Sequence, residues 1–508
     1  MVKTETQRNG NFYLKKVYKR KLGGSLEFTT ARLAYQVTFI LALFLATQVV
    51  KNGVVSPIMA AVTGVFAVEF LIQFFVAKRI QKEIIGGDGE ISNRTRKFGY
   101  ILLLFVITGN FLAFIAGAML VKREKNLEYQ LSIYSLLVTI FILLVSALNL
   151  FKEYIVETFW LGMGLYGLYA ILNFGIVLAV NKYTFGKKPD KKFMPFAVIC
   201  LLGIALGNVF SFVLGLIAIG KYRNKNEEVS VEWIDVIQRL FRNYTAVIGM
   251  FLVAFFVAVS IGSNLTFDYD LAVSNNFMTR LAEPSLAYPF GCDDYGRCVF
   301  TRIIFGASIS LIIGMISTIV PIIFGGIVGA MAGYYGGKAD NTIMRVIDVL
   351  NAVPSILLAI AIIAAFGVST TNLILALSVS SIPAYARTVR AQVLGISNQE
   401  FVEAAKACGA KNGTIIFKHI IPNSLAPIIV QATMGIGSAV LSTSSLSYLG
   451  IGVEAHIPEW GNVLKAGSTF LETNPYIAIY PGLAIIIIVL AFNFFGDGLR
   501  DALDPKLK

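Results

Sequence analysis

Apolar runs separated by short polar stretches make up most of the chain. Six such runs lie in the first half, at about 33–50, 54–76, 98–121, 131–150, 159–180 and 193–220. Six more lie in the second half, at about 244–261, 308–330, 353–366, 372–384, 425–446 and 476–495, the third and fourth of these being short. A helix crossing about 30 Å of hydrocarbon needs roughly 20 apolar residues. The pattern therefore predicts an all-α membrane protein of about twelve transmembrane helices.

Composition agrees. Charged residues make up 14% of the chain, against about 25% in soluble domains. The net charge of +13 does not point to nucleic acid, because the Lys and Arg residues gather in loops flanking the runs, where orientation by the positive-inside rule requires them. Lys15, Lys16, Lys19, Arg20 and Lys21 precede the first run and place the N-terminus in the cytoplasm. The first run is read as an anchor, since no small-residue cleavage site follows it. Twelve crossings then put both termini in the cytoplasm. The loops at 77–97 and 221–243 fit this topology. The loop at 181–192 does not, because it would carry Lys182, Lys187, Lys188, Lys191 and Lys192 outward.

The most informative polar stretch is 397–422. Ser397 followed by Glu400 predicts a capping box. Phe401, Ala404, Ala405 and Cys408 then repeat at i, i+3, i+4, i+7, which makes a narrow face of small and apolar groups. Gly409 is the expected left-handed stop. Residues 414–421 predict a second short helix ended by Pro422. Such a face on a helix outside the bilayer suits docking into a groove of another protein, and an ordinary cytoplasmic helical hairpin is the alternative.

The fully polar stretch 221–230 marks a domain boundary. After it, 231–243 is amphipathic and reads as a helix along the cytoplasmic membrane surface. The division expected is 1–228, a multi-span extension of unassigned role, and 229–508, a second membrane domain that carries the polar loop at 397–422.

From about residue 231 the motifs run in a specific order. Arg239-Leu240-Phe241-Arg242-Asn243 leads into a span, and Gly291 to Gly306 follows outside. Ala332-Gly333-Tyr334-Tyr335-Gly336-Gly337 and Pro383-Ala384-Tyr385-Ala386-Arg387 come next. Glu403-Ala404-Ala405, Gly409 and Ile421-Pro422 follow, then Pro458-Glu459-Trp460-Gly461 and Gly496-Asp497-Gly498. This series resembles the C-type permease of the dipeptide/oligopeptide/nickel importer family, with 403–422 similar to the EAA loop of ABC importer permeases.

The resemblance implies a six-helix ABC importer (type I) permease fold in the second half. It implies a plasma-membrane subunit that forms the translocation pathway for di- or oligopeptides and is not itself an enzyme. Nickel chelates or another small solute are the alternative cargo, and a secondary transporter is the rival class. Partners implied are a second homologous permease subunit, two ABC ATPase subunits that bind ATP and Mg, and an extracytoplasmic substrate-binding protein. Ser397, Glu400, Phe401, Glu403, Ala404, Ala405, Cys408, Gly409 and Pro422 would couple to the ATPases. Gln431, Met434, Ser438 and Ser442 are candidates for the pathway, close helix packing being the alternative for this small-residue span.

Cys292 and Cys298 stand where such permeases usually carry threonine and aspartate. Two readings stand for them, a disulfide and two unpaired thiols. No Gly-x-x-x-x-Gly-Lys-Ser/Thr sequence occurs, so ATP hydrolysis is not expected on this chain. No metal-ligand cluster is present either, and Asp293, Asp294 and Glu459 are read as an exposed loop face. In the extension, Asn110, Asn173 and Asn208 read as glue between helices. Glu69, with Gln73 one turn on, is placed about two turns from the inner end of its span with Lys78 in reach, its role left open between function and glue.

Overall fold

The computed structural model describes residue 22 and residues 25–504, apart from 48, 52–53, 56, 87–89, 124–125, 153–154, 185–189 and 224–230. The basic N-terminal stretch, Lys187 and Lys188 and most of the boundary at 221–230 lie outside the described residues. Apart from a two-residue ribbon pairing Val50–Lys51 with Val54–Val55, the named elements are helical. The chain divides into two compact units, Met1–Leu137 with Ile176–Phe193, and Val138–Gly175 with Met194–Lys508.

The first unit holds α1 (Leu26–Thr47), α2 (Pro57–Gly86), α3 (Asn93–Leu104) and α4 (Phe111–Val121), with parts of α5 (Leu127–Ala147) and α6 (Phe159–Tyr183). Ala34, Val76, Ile80, Leu102, Ala116 and Leu120 form its core. Inside it, Glu69 is buried near the middle of α2, well away from the helix end at Gly86. The sequence expectation of a position near the inner end is corrected, because α2 continues three turns beyond the apolar run. Lys78 does not reach Glu69 but sits over the Phe74 ring at 5.5 Å. The partners of Glu69 are neutral: the Asn110 amide donates at 2.7 Å, and the Thr108 hydroxyl makes a short bond.

The second unit adds α7 (Met194–Leu202), α8 (Val209–Arg223), α9 (Val231–Arg242), α10 (Tyr244–Thr266) and α11 (Val299–Tyr335). Then come α12 (Gly337–Ala352), α13 (Ser355–Phe366), α14 (Thr370–Ser397), α15 (Glu400–Ala407), α16 (Ile421–Leu449), α17 (Trp460–Ser468) and α18 (Tyr476–Leu503). The most extensive helix packing joins α11 to α14. Gly325, Gly329 and Gly333 repeat every four residues on α11, and a Cβ at Gly329 would lie 2.3 Å from the Ala386 carbonyl. Only a small-residue stripe allows backbones this close, which is how helices associate where water offers no driving force.

Among the described residues, seven helices are long and apolar enough to cross a membrane, or eight if α12 and α13, bent by 83°, form one span. The expected count of twelve is not reached. The runs at 98–121 and 193–220 are not single helices: each is a pair, α3 with α4 and α7 with α8, broken at Gly109-Asn110 and Gly207-Asn208. The short run at 372–384 is the start of the 28-residue α14, which passes through Pro383 to Ser397.

Candidate functional site

The polar segment after α14 is built differently from its expected capping box. Ser397 ends α14, and its hydroxyl donates back to the Leu394 carbonyl at 3.2 Å. Nothing between Val389 and Ile396 stops that helix, so Ser397 is used up in it. Gln399 caps α15 through its backbone alone. The C-terminal end is as expected: Gly409 has φ +77°. Its N–H donates to the Lys406 carbonyl at 2.9 Å, and Ala410 donates to Ala405 at 3.1 Å. This is a Schellman motif.

One residue seats α15. Val402 is fully buried against Val393, Ile396, Ile415 and Ile420, with Ala405 and Ala410 packed at the edge. Sequence reasoning missed it, although an apolar Val402 beside Phe401 leaves only one of the two free to face outward. Glu400, Phe401, Glu403, Ala404 and Cys408 are exposed, and Ala405 is half-buried. The segment is also pinned to the end of α11. The Tyr334 hydroxyl donates to Asn412 at 2.9 Å, and Lys406 lies over the Tyr334 ring at 5.3 Å.

Pro422 does not end a helix. Asn412–Thr414 and a π-helical turn, Ile415–Ile420, run into α16, with Pro422 in its first turn. A proline inside a helix lacks one N–H and crowds the carbonyl four residues earlier. The widened turn, in which Ile421 donates to Ile416, absorbs that crowding.

A cavity of about 1320 Å³ lies between α11, α14 and α16. Gln431, Met434, Ser438 and Ser442 all line it, together with Ser317 and Thr318 of α11 and Ser380, Ser381, Tyr385 and Thr388 of α14. The charged residues on its wall are Asp235, Arg239, Arg500 and Asp504, close to the ends of α9 and α18. Ser317 Oγ and Gln431 Oε1 are buried without a hydrogen-bond partner. Unsatisfied polar atoms on a cavity wall are costly unless a ligand or water pairs with them.

In the loop before α11, Cys292 and Cys298 face each other across an antiparallel bridge. Asp293 donates to Arg297 at 3.0 Å and Val299 to Gly291 at 3.1 Å. The cysteines are therefore a non-hydrogen-bonded pair, for which Cα atoms stand about 4.5 Å apart, inside the disulfide range of about 4.4–6.8 Å. Both thiols are buried and unbonded here. Burial first, and then Cys298, pushes the Cys292 thiol up to about 12. The expected outcome in an oxidising exterior is a disulfide, with two protons and two electrons passing to a disulfide oxidant, which is reduced to its dithiol. Denaturing alkylation without reductant, followed by peptide mass spectrometry, tests this. Full alkylation of both residues in protein quenched directly from cells would rule the bond out.

Two expectations about loop carboxylates are corrected. Asp293 is fully buried, accepting from Arg297 at 2.8 Å with Arg302 at 3.8 Å. Glu459 is fully buried as well, and caps α17 by accepting from the N–H groups of Gly461 and Asn462 at 2.7 and 3.3 Å. Its other oxygen accepts from Ser444 at 2.7 Å and Ser310 at 3.2 Å. A lone carboxylate in a loop reads as solvated; the serines that bury Glu459 come from α11 and α16 and carry no local signal, whereas the Arg297 that pairs with Asp293 stands only four residues on.

A cavity walled by tightly packed helices, with a short exposed helix anchored where two of them end, is the architecture of a transport permease. Residues 325–508 match the family described as the binding-protein-dependent transport system inner membrane component. Residues 232–284 match the N-terminal transmembrane domain of oligopeptide transport permease C. The chain belongs to this family of membrane permeases.

Among its relatives, the dipeptide transport system permease protein DppC of Alkalihalophilus pseudofirmus is 45% identical over 276 residues, covering 54% of this chain and 90% of the relative. The glutathione transport system permease protein GsiD of Pectobacterium atrosepticum is 42% identical over 286 residues, covering 56% and 94%. GsiD of Escherichia coli is 40% identical over 284 residues, again covering 56% and 94%. Among solved structures, the MetNI methionine ABC transporter in inward-facing conformations overlays with a TM-score of 0.34 at 20% identity, covering 40% of this chain and 97% of that one.

Proposed function

We propose that this chain is the permease subunit of an ATP-driven importer and carries peptides through the cavity between α11, α14 and α16. The observation that carries the reading is α15: one side is anchored by Val402, and Glu403, Ala404 and Cys408 remain open to a partner. ATP hydrolysis belongs to separate subunits, which bind ATP and Mg. Two of these would dock on α15 and its counterpart in a second permease subunit, and an extracytoplasmic binding protein would deliver the substrate. Peptide cargo is supported by the dipeptide and glutathione permeases among the relatives. It is also supported by a cavity wall whose mid-helix groups are neutral hydroxyls and amides, which pair with peptide N–H and C=O groups whatever the side chains.

In this reading 229–508 is the permease domain and 1–228 an added membrane module, with both termini in the cytoplasm. Gentle purification of the tagged full-length protein, with mass spectrometry of what accompanies it, tests the assembly. A second permease and two ATPase chains are expected. A protein that purifies alone and transports without ATP would overturn the proposal.

A further inference from the structure

The two broken helices of the added module are copies of one device. In the first, Gly109 (φ +81°) donates to Val106 at 3.1 Å and Asn110 to Phe105 at 2.9 Å. In the second, Gly207 (φ +79°) donates to Ile204 at 2.9 Å and Asn208 to Gly203 at 3.0 Å. Each asparagine then caps the next helix, Asn110 accepting from Ala113 at 3.2 Å and Asn208 from Ser211 at 3.0 Å. The sequences match at one constant offset: Phe98 with Phe196, Leu103 with Leu201, Leu104 with Leu202, Phe114 with Phe212 and Gly117 with Gly215.

In each case the chain turns back on itself. A Cβ at Gly117 would lie 2.7 Å from the Gly99 carbonyl, and one at Gly215 would lie 2.8 Å from the Ala197 carbonyl. The arms are thus in backbone contact about eight to ten residues from the tip glycine. Arg96, near the start of α3, donates to the carbonyls of Leu120 and Lys122 at 3.1 and 2.9 Å. Arg123 pairs with Glu90 at 2.7 Å. Entry and exit therefore lie at the same end. With 12 and 11 residues, α3 and α4 are about 18 and 17 Å long, roughly half the hydrocarbon thickness.

The helices before each hairpin repeat too. Asn110 donates to Thr38 of α1 at 2.8 Å, and Thr38 in turn to Gln73 of α2 at 3.1 Å. In the second copy Asn208 donates to Thr139 of α5 at 3.0 Å, and Asn173 of α6 donates to the same hydroxyl at 3.2 Å. Each copy is helix, helix, hairpin, with a threonine, an amide and the tip asparagine joined in the interior. Glu69 is an addition of the first copy, held by Thr108 where the second has Leu206.

We infer that residues 26–223 are a tandem duplication of a helix–helix–hairpin unit, that both hairpins are re-entrant, and that the module crosses the membrane four times rather than six. The crossings are α1, α2, α5 and α6; at 22 residues, or about 33 Å, even α1 is long enough. Given the cytoplasmic N-terminus proposed above, the loops around 77–97, 122–126, 181–192 and 221–243 all face the cytoplasm. The lysine-rich loop that contradicted the positive-inside rule under six crossings then obeys it. Repeated half-membrane helices in corresponding positions are the device by which membrane proteins bring polar groups to mid-bilayer, and the two asparagine tips do this here.

Four single substitutions in the full-length protein test the topology: Glu90→Cys, Arg123→Cys, Glu157→Cys and Lys192→Cys. Intact cells are treated with a membrane-impermeant maleimide, permeabilised cells serve as the control, and peptide mass spectrometry reads the labelled residue. All four positions are exposed. Four crossings predict labelling at position 157 alone in intact cells and at all four after permeabilisation. Six crossings predict the opposite, with 123 and 192 labelled and 90 and 157 protected, and that result overturns the inference. Labelling of 90, 123 and 192 without 157 supports the hairpins and overturns only the assigned orientation. Any other pattern refutes the duplication as a topological unit.

Discussion

Replacing Ala404 by tryptophan is expected to abolish ATP-driven uptake while leaving the protein folded and in the membrane. Ala404 is exposed on α15, so its Cβ faces whatever docks there rather than the permease body. Overfilling a close-packed contact costs about 1–3 kcal/mol, and each 1.4 kcal/mol is tenfold in affinity, so ATPase binding should weaken roughly 5- to 100-fold. Ala405→Trp is a less clean probe. Ala405 packs at the edge of the Val402 cluster, and its carbonyl accepts the Schellman bond from the Ala410 N–H, so the change also unseats α15 from within.

The pair of variants separates docking from folding. Ala404→Trp should keep the melting temperature of the wild type and lose the co-purifying ATPases; Ala405→Trp should lose both. Measured uptake by Ala404→Trp at wild-type rate would sink the assignment of α15 as the coupling helix.

How much of this was legible beforehand differs between the two halves for a physical reason. In the second half the ordered motifs from Arg239 to Gly498 placed the family and the α15 segment. The four pathway candidates on α16 do line one cavity, because a small-residue stripe at helical spacing keeps its face whatever the neighbours are. What failed was local and depended on neighbours. Ser397 looked like a cap because it precedes Glu400 at the right distance, yet α14 consumed it. Pro422 looked like a stop, yet a π turn carries the chain through it. Glu459 and Asp293 looked solvated, yet serines of α11 and α16 enclose the first, and Arg297 and Arg302 enclose the second.

In the first half the error was one of period. A run of two dozen apolar residues reads as one span, and Gly109-Asn110 is a two-residue signal inside it. The same dipeptide at Gly207-Asn208 was the available clue, since a glycine able to adopt positive φ followed by a capping asparagine both ends one helix and begins another.

Glu459 carries the second large effect. Its carboxylate ties α17 to α11 and α16 through four accepted hydrogen bonds, two from backbone N–H groups and two from Ser310 and Ser444. Glu459→Ala removes the helix cap and strands four buried donors. Loss of a cap costs about 1 kcal/mol and each unpaired buried group about 1–3, so a destabilisation on the order of 4 kcal/mol or more is expected in a thermal melt of the purified protein. Glu459→Gln should behave differently, because its carbonyl can take the backbone N–H pair while its amide donates to serine hydroxyls free to rotate.

The pH dependence distinguishes the two forms further. Burial, the largest influence, pushes the Glu459 carboxyl above the ordinary carboxylate value, against the serine and backbone hydrogen bonds that lower it. A carboxyl raised in the folded state holds its proton more tightly there than in the unfolded chain. Stability is therefore greatest below the unfolded value near 4.5 and declines as pH rises from there through the folded value. The glutamine variant has no proton to lose at this position, so the difference in melting temperature between it and the wild type should grow in its favour across that window. A constant difference over the same range would mean that the carboxylate is charged in the folded protein throughout and that its four donors, rather than burial, set its ionisation.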